Sequence, residues 1–151
     1  MLLFLPALLI VCHPIPATHI PLQPMKTPHI LIVDDEPNIV MSLEFLMRKN
    51  GYQVGIARNG AEALAAIDQL PYDLVLLDIM MPDVDGLEVC RRLRTRPDRA
   101  ATKVVFLSAK SRDSDVQKGY EAGADLYIPK PFSTRQLMEK VRELLAVAPN
   151  G

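Results

Sequence analysis

Five side chains able to do acid, base or phosphoryl chemistry each follow a short apolar run. Asp34 and Asp35 come after residues 29–33, and Asp78 after residues 73–77. Ser108 comes after residues 103–107, and Lys130 follows residues 125–128 by two positions. Three carboxylates gathered in one crevice repel one another unless a cation joins them. An oxygen-only donor set with retained waters suits Mg²⁺, which favours one or two carboxylates plus a phosphate oxygen. A carboxylate so held can act as a nucleophile and take up a phosphoryl group as an acyl phosphate. That transfer needs mainly positioning and neutralisation of the phosphoryl oxygens. An ammonium (Lys130) and a hydroxyl (Ser108) would supply what the metal does not. Taken singly, each residue has a plainer reading. Asp34-Asp35 could cap a helix, Asp78 could form a turn, Ser108 could be a loop hydroxyl and Lys130 a solvated lysine.

The elements that would position these groups are legible in the hydrophobic pattern. Residues 29–33, 73–77 and 103–107 are continuous apolar or nearly apolar runs of strand length, the pattern of strands buried on both faces of a parallel sheet. Residues 53–57 and 125–128 read as two further strands. Between them lie five helical segments. Pro37 opens the first, with Ile39, Leu43, Leu46 and Met47 on its core face and Asn50-Gly51 at its end. Asn59 with Glu62 has the form of a capping box for the second, faced by Leu64, Ile67 and Leu70. The third runs through Leu87, Cys90 and Leu93 to about Arg94. The fourth covers about 113–122, closed by Gly123. Ser133 with Gln136 caps the fifth, faced by Leu137, Val141, Leu144 and Leu145. Alternating strands and helices predict an α/β fold with a parallel sheet covered on both faces. Ligands of such sheets bind outside the carboxyl ends of the strands, where all five chemical residues fall.

Four segments then carry a resemblance. Residues 30–37 (Ile-Leu-Ile-Val-Asp-Asp-Glu-Pro), 74–86 (Leu-Val-Leu-Leu-Asp78 through Pro82, Asp83, Asp85 and Gly86), 106–110 (Phe-Leu-Ser-Ala-Lys) and 123–132 (Gly-Ala-Asp-Leu-Tyr127-Ile-Pro-Lys130-Pro131-Phe132) resemble the receiver domain of two-component response regulators. The resemblance covers about residues 27–146 and implies a flavodoxin-like doubly wound sheet of five parallel strands, in the order 2-1-3-4-5, with five helices. It implies that Asp78 accepts phosphate from a histidine kinase or a histidine phosphotransfer protein. Mg²⁺ would be held by Asp34, Asp35, Asp78 and the backbone carbonyl of Met80. Ser108 and Lys130 would contact the phosphoryl group, and the Lys130–Pro131 bond would be cis. Tyr127 would be the switch aromatic, moving from exposed to buried as Ser108 moves. A downstream protein would read the surface of helix 4, strand 5 and helix 5; a homodimer stays open. Met80, two places after Asp78, would position attacking water poorly, so the phosphoryl group is expected to last longer than in the fastest chemotaxis-type receivers. The family acts as a switch rather than an enzyme, apart from its own phosphotransfer and dephosphorylation. A Mg²⁺-dependent aspartyl phosphohydrolase is the rival, but it would want a second acid at position 80 and a cap domain.

Composition bounds the rest. The chain has 151 residues, 23% charged and 49% hydrophobic, with a formal net charge of −1. That describes one globular domain and lacks the basic excess of a dedicated nucleic-acid binder. Arg91, Arg92, Arg94, Arg96, Arg99 and Lys103 form a basic stretch without interleaved aromatics. It reads as a solvated helix face and loop, and no direct nucleic-acid contact is expected. Cys12 and Cys90 fit neither a disulfide framework nor a zinc spacing. Residues 1–24 contain no Lys, Arg, Asp or Glu and hold five of the 13 prolines. Residues 1–12 are too short to span a bilayer, and the start at Met25 would suit a cytosolic domain. The expected division is a non-domain extension at 1–26, a receiver at 27–147 and a tail at 148–151. The extension reads as a misplaced start, with a membrane tether as the alternative. The expected location is the cytoplasm, and the expected architecture a receiver without an output domain.

Overall fold

The computed structural model describes residues 25–146. The expectations for residues 1–24 and for the tail lie outside the described residues. Five strands alternate with five α-helices: β1 (His29–Val33), α1 (Pro37–Lys49), β2 (Gln53–Ala57), α2 (Gly60–Gln69), β3 (Leu74–Leu77), α3 (Gly86–Arg94), β4 (Lys103–Ser108), α4 (Asp113–Glu121), β5 (Leu126–Pro129) and α5 (Thr134–Ala146). A short 3₁₀ turn at Pro97–Arg99 precedes β4. The sheet is parallel throughout, in the order β2-β1-β3-β4-β5. The expected fold is therefore the observed one.

Alternation along each strand divides the core in two. Ile30, Ile32, Leu74, Leu76, Val105 and Leu107 face Val40, Leu43 and Met47 of α1 and Leu137, Met138 and Val141 of α5. Leu31, Val33, Val75, Leu77, Val104 and Phe106 face Ala63 and Ile67 of α2, Val89, Cys90 and Leu93 of α3, and Ala122 just past α4. β3 is buried at every position because both its faces are covered.

The local signals act as their chemistry requires. Pro37 occupies the first turn of α1. Asn59 accepts from the Glu62 amide at 2.8 Å; Glu62 reaches back to the amide of Arg58 rather than to that of the cap residue. Ser133 accepts from the Gln136 amide at 3.4 Å. Leu70 departs from expectation: it is the C-cap of α2 and 45% exposed, because the chain turns extended there toward Pro71.

The basic stretch departs further from expectation. Arg91 and Arg92 are exposed as expected, but Arg94 and Arg99 are half-buried. Arg94 donates to the carbonyls of Gly123 (2.8 Å) and Thr102 (2.6 Å) and to Asp125 Oδ2 (2.8 Å). Arg99 donates to the Ile67 carbonyl at 3.1 Å. Arg99 thereby satisfies a carbonyl in the last turn of α2. No helix among the described residues is long and apolar enough to cross a membrane.

Candidate functional site: a carboxylate cluster at the carboxyl edge of the sheet

Parallel register brings the chemical residues to one edge. Val33 pairs with Leu77, and Leu77 with Phe106, so Asp34, Asp78 and Ser108 emerge side by side from β1, β3 and β4. Oxygens of Asp34, Asp35 and Asp78 lie within 4.8 Å of one another. Asp34 and Asp78 are buried, and Asp35 is exposed. Lys130 Nζ lies 2.9 Å from Asp34 Oδ2 and 3.9 Å from Asp78 Oδ1. Asp34 Oδ1 also accepts from the Glu36 amide at 2.9 Å, which fixes its orientation.

The loop after β3 is folded tightly against the site. The Gly86 amide donates to the Ile79 carbonyl at 3.0 Å. A Cβ at position 86 would lie 2.2 Å from the Asp78 carbonyl oxygen, so only glycine permits this approach. Asp85 then caps α3 by accepting from the Glu88 amide at 2.9 Å.

Burial pushes the Asp78 carboxyl up to about 6. Lys130 and the Met80 amide pull it down, while Asp34 and Asp35 push it further up. A carboxylate raised by burial and like charge gains by meeting a cation. Three carboxylates with hard oxygen donors, one open to solvent, fit a divalent cation of that class.

The other anticipated residues gather around this cluster. Ser108 is fully buried, and its hydroxyl accepts from the Lys110 amide at 3.2 Å. Tyr127 is buried, its ring 6.0 Å from that of Phe106, and its hydroxyl donates to the Lys110 carbonyl at 2.6 Å. Burial pushes its phenol up. The Lys130–Pro131 bond is cis. Met80 is 57% exposed beside Asp78, with its amide toward the carboxylate.

Three features were not anticipated. Lys110 contributes its backbone, bonded on one side to Ser108 and on the other to Tyr127. Tyr120 accepts from the Tyr127 amide at 3.2 Å and so covers a donor of β5, the last strand of the sheet. Arg94 binds groups 29 and 31 residues away. Backbone partners carry no residue signature, and pairings over such separations have no spacing to read.

The comparisons agree with this geometry. The model of the response regulator receiver domain matches residues 30–142. The transcriptional regulatory protein ResD of Bacillus subtilis is 44% identical over 116 residues, which are 77% of this chain and 47% of ResD. The DNA-binding response regulator MtrA of Mycolicibacterium smegmatis is 40% identical over 77% of this chain and 50% of MtrA. The chain thus spans about half the length of the curated relatives it matches. A CheY-like receiver domain protein from Methanospirillum hungatei superposes with a TM-score of 0.75 at 34% identity, covering 80% of this chain and 94% of that one. The BeF3-activated DrrB receiver domain does so with a TM-score of 0.73 at 33% identity, covering 80% and 98%. The chain belongs to the response regulator receiver domain family, the phosphorylation-dependent signalling switches of two-component systems.

Proposed function

We propose that Asp78 is the phosphoacceptor of this receiver and that its phosphorylation is reported through α4, β5 and α5. The observation that carries this reading is the approach of Asp34, Asp35 and Asp78 to within 4.8 Å, with Lys130 Nζ bridging Asp34 and Asp78. Mg²⁺, when held by Asp34, Asp35, Asp78 and the Met80 carbonyl, neutralises phosphoryl oxygens and aligns the donor.

The chain's own residues supply the rest. An Asp78 carboxylate oxygen attacks phosphorus, the bond from phosphorus to the donor nitrogen or oxygen breaks, and an aspartyl phosphate forms. Lys130 turns its ammonium from Asp34 to a phosphoryl oxygen. Ser108 donates its hydroxyl hydrogen to another and draws the 108–110 loop inward. Tyr127 is the switch aromatic, and its buried position is the one that the phosphorylated state favours. Ala109 is small and leaves the entrance open. The Met80 side chain offers attacking water no hydrogen bond, so autodephosphorylation is slower than in the fastest chemotaxis-type receivers; Met80→Asn should speed phosphate loss, and equal rates would remove the idea.

The donor is a histidine kinase or a phosphotransfer protein, which places the domain in the cytoplasm. The reader of the α4–β5–α5 face is a separate protein, or a second copy, rather than nucleic acid. ResD and MtrA are by name transcriptional and DNA-binding regulators, and this chain spans about half the length of each. The intact mass of the endogenous protein shows whether this receiver is joined to an output domain.

Incubation with acetyl phosphate and Mg²⁺ followed by intact-mass measurement tests the central claim. One phosphoryl group should be gained, and none by Asp78→Ala. Equal labelling of Asp78→Ala, or sustained turnover of phosphomonoesters, would overturn it.

A further inference from the structure

Burial divides the methionines of the described residues into two groups. Met47 and Met138 are buried in the core under α1 and α5, and Met81 is half-buried against the opposite core. Met25, Met41 and Met80 are exposed. Met25 precedes β1 at the amino edge of the sheet, away from the carboxylates. Met41 lies on α1 and borders the cluster beside Asp34 and Asp35. Met80 is joined to the nucleophile itself, because its amide donates to the Asp78 carboxylate.

The backbone beside Met80 is pinned. Ile79 is buried, and its carbonyl accepts from the Gly86 amide at 3.0 Å. A Cβ at position 86 would lie 2.9 Å from Ile79 Cα, so the two strands of the loop are in contact there. The Met80 side chain is thus rooted next to Asp78 while most of it stays open to solvent. Its thioether is apolar and accepts hydrogen bonds weakly. The corresponding sulfoxide is polar and carries a strong acceptor oxygen.

We propose that Met80 is an oxidation site that sets the lifetime of the aspartyl phosphate: a hydroperoxide converts its thioether to the sulfoxide, whose oxygen then accepts a hydrogen bond from the water that attacks phosphorus. This rests on Asp78 as the phosphoacceptor. In the oxidation, a sulfur lone pair attacks one peroxide oxygen, the O–O bond breaks and an S–O bond forms. The departing oxygen takes up a proton and leaves as water or an alcohol. Sulfur loses two electrons, and the peroxide gains them. In the hydrolysis, the water oxygen bonds to phosphorus and the bond from phosphorus to the Asp78 oxygen breaks. The proton released by the water stays with inorganic phosphate, and Asp78 returns as a carboxylate. Cys90 does not compete for the oxidant, since its thiol is fully buried and burial pushes it up to about 11, so that it stays protonated.

The test treats the full chain with hydrogen peroxide, removes the oxidant, labels with acetyl phosphate and Mg²⁺, and follows phosphate loss by intact mass. Peptide mass mapping reports which methionines have gained oxygen. Wild type oxidised at Met80 should lose phosphate about fivefold faster than untreated wild type, the factor given by one ordinary hydrogen bond gained in the transition state. Met41→Leu should respond to peroxide as wild type does. Met80→Leu should lose phosphate at one rate with and without peroxide. Met80→Gln, which carries a polar tip on a side chain of similar length, should be fast without any oxidant. An unchanged rate in wild type oxidised at Met80 overturns the proposal, as does acceleration of Met80→Leu by peroxide or loss of the response in Met41→Leu. A Met80 that stays reduced while Met41 is oxidised, or a Met80→Gln as slow as untreated wild type, overturns it too. Failure of untreated wild type to take up a phosphoryl group would instead overturn the phosphoacceptor reading.

Discussion

The two faces of the sheet are built for different work. The core of the face covered by α1 and α5 is aliphatic and sulfur-bearing: Val40, Leu43, Met47, Leu137, Met138 and Val141 close on Ile30, Ile32, Leu74, Leu76, Val105 and Leu107. The opposite face carries Cys90, Tyr72, Phe106 and Tyr127, and its outer helix α4 buries only a glycine. Apolar packing has no preferred direction but strongly resists voids. One face is held by undirected apolar packing; the other adds directional hydrogen bonds from Tyr127, Cys90 and Arg94.

The largest expected effect separates the faces by stability. Leu137→Ala should cost about 2–5 kcal/mol of unfolding free energy, whereas Val116→Ala, on the half-buried side of α4, should cost under about 1 kcal/mol. Urea midpoints at constant m-value measure both, and equal costs would erase the distinction.

A somewhat smaller effect comes from the edge where the faces meet. Asp78 titrates near 6 in the folded chain because burial disfavours its anion, against about 3.9 when unfolded. The folded state therefore binds the proton more tightly. Its stability is highest below the unfolded value, declines as pH rises from about 4 to 6, and stays lower above that. Asp78→Asn should remove this slope. It should leave stability at pH 4 unchanged and raise it at pH 7 by on the order of 2–3 kcal/mol. Wild type and variant with parallel pH profiles would contradict the assignment of cost to this carboxylate.

The smallest effect belongs to the switch itself. Tyr127→Phe removes one hydrogen bond to Lys110 O and should cost about 1 kcal/mol. Its phosphorylation by acetyl phosphate should stay at the wild-type level, while the amide chemical-shift changes in the first turns of α4 on adding beryllofluoride shrink by half or more. An undiminished response would mean that Lys110 is steadied by Ser108 alone.

How much could be read in advance differs between these regions. The strands of the aliphatic core were legible because continuous apolar runs of strand length, bounded by Asp34, Asp78 and Ser108, have few alternatives in a parallel sheet. The site was legible because strand ends deliver whatever residue follows them to one edge. The surface basic stretch was misread at Arg94 and Arg99 alone, because sequence shows that they are charged but not which carbonyls they reach. Leu70 was misplaced because helical periodicity does not announce where a helix stops; the extended turn into Pro71 decided that.

By itself the sequence determined the order of elements, the identity of the charged groups at the carboxyl edge and the family. These follow from patterns of period and position along one chain. Only the tertiary structure decided the distances among the carboxylates, the position of Tyr127, the double use of the Lys110 backbone and the grip of α3 on the end of α4. Those depend on groups brought together from distant parts of the chain, many of them backbone atoms that every residue possesses. No pattern of side chains encodes which of those atoms will meet.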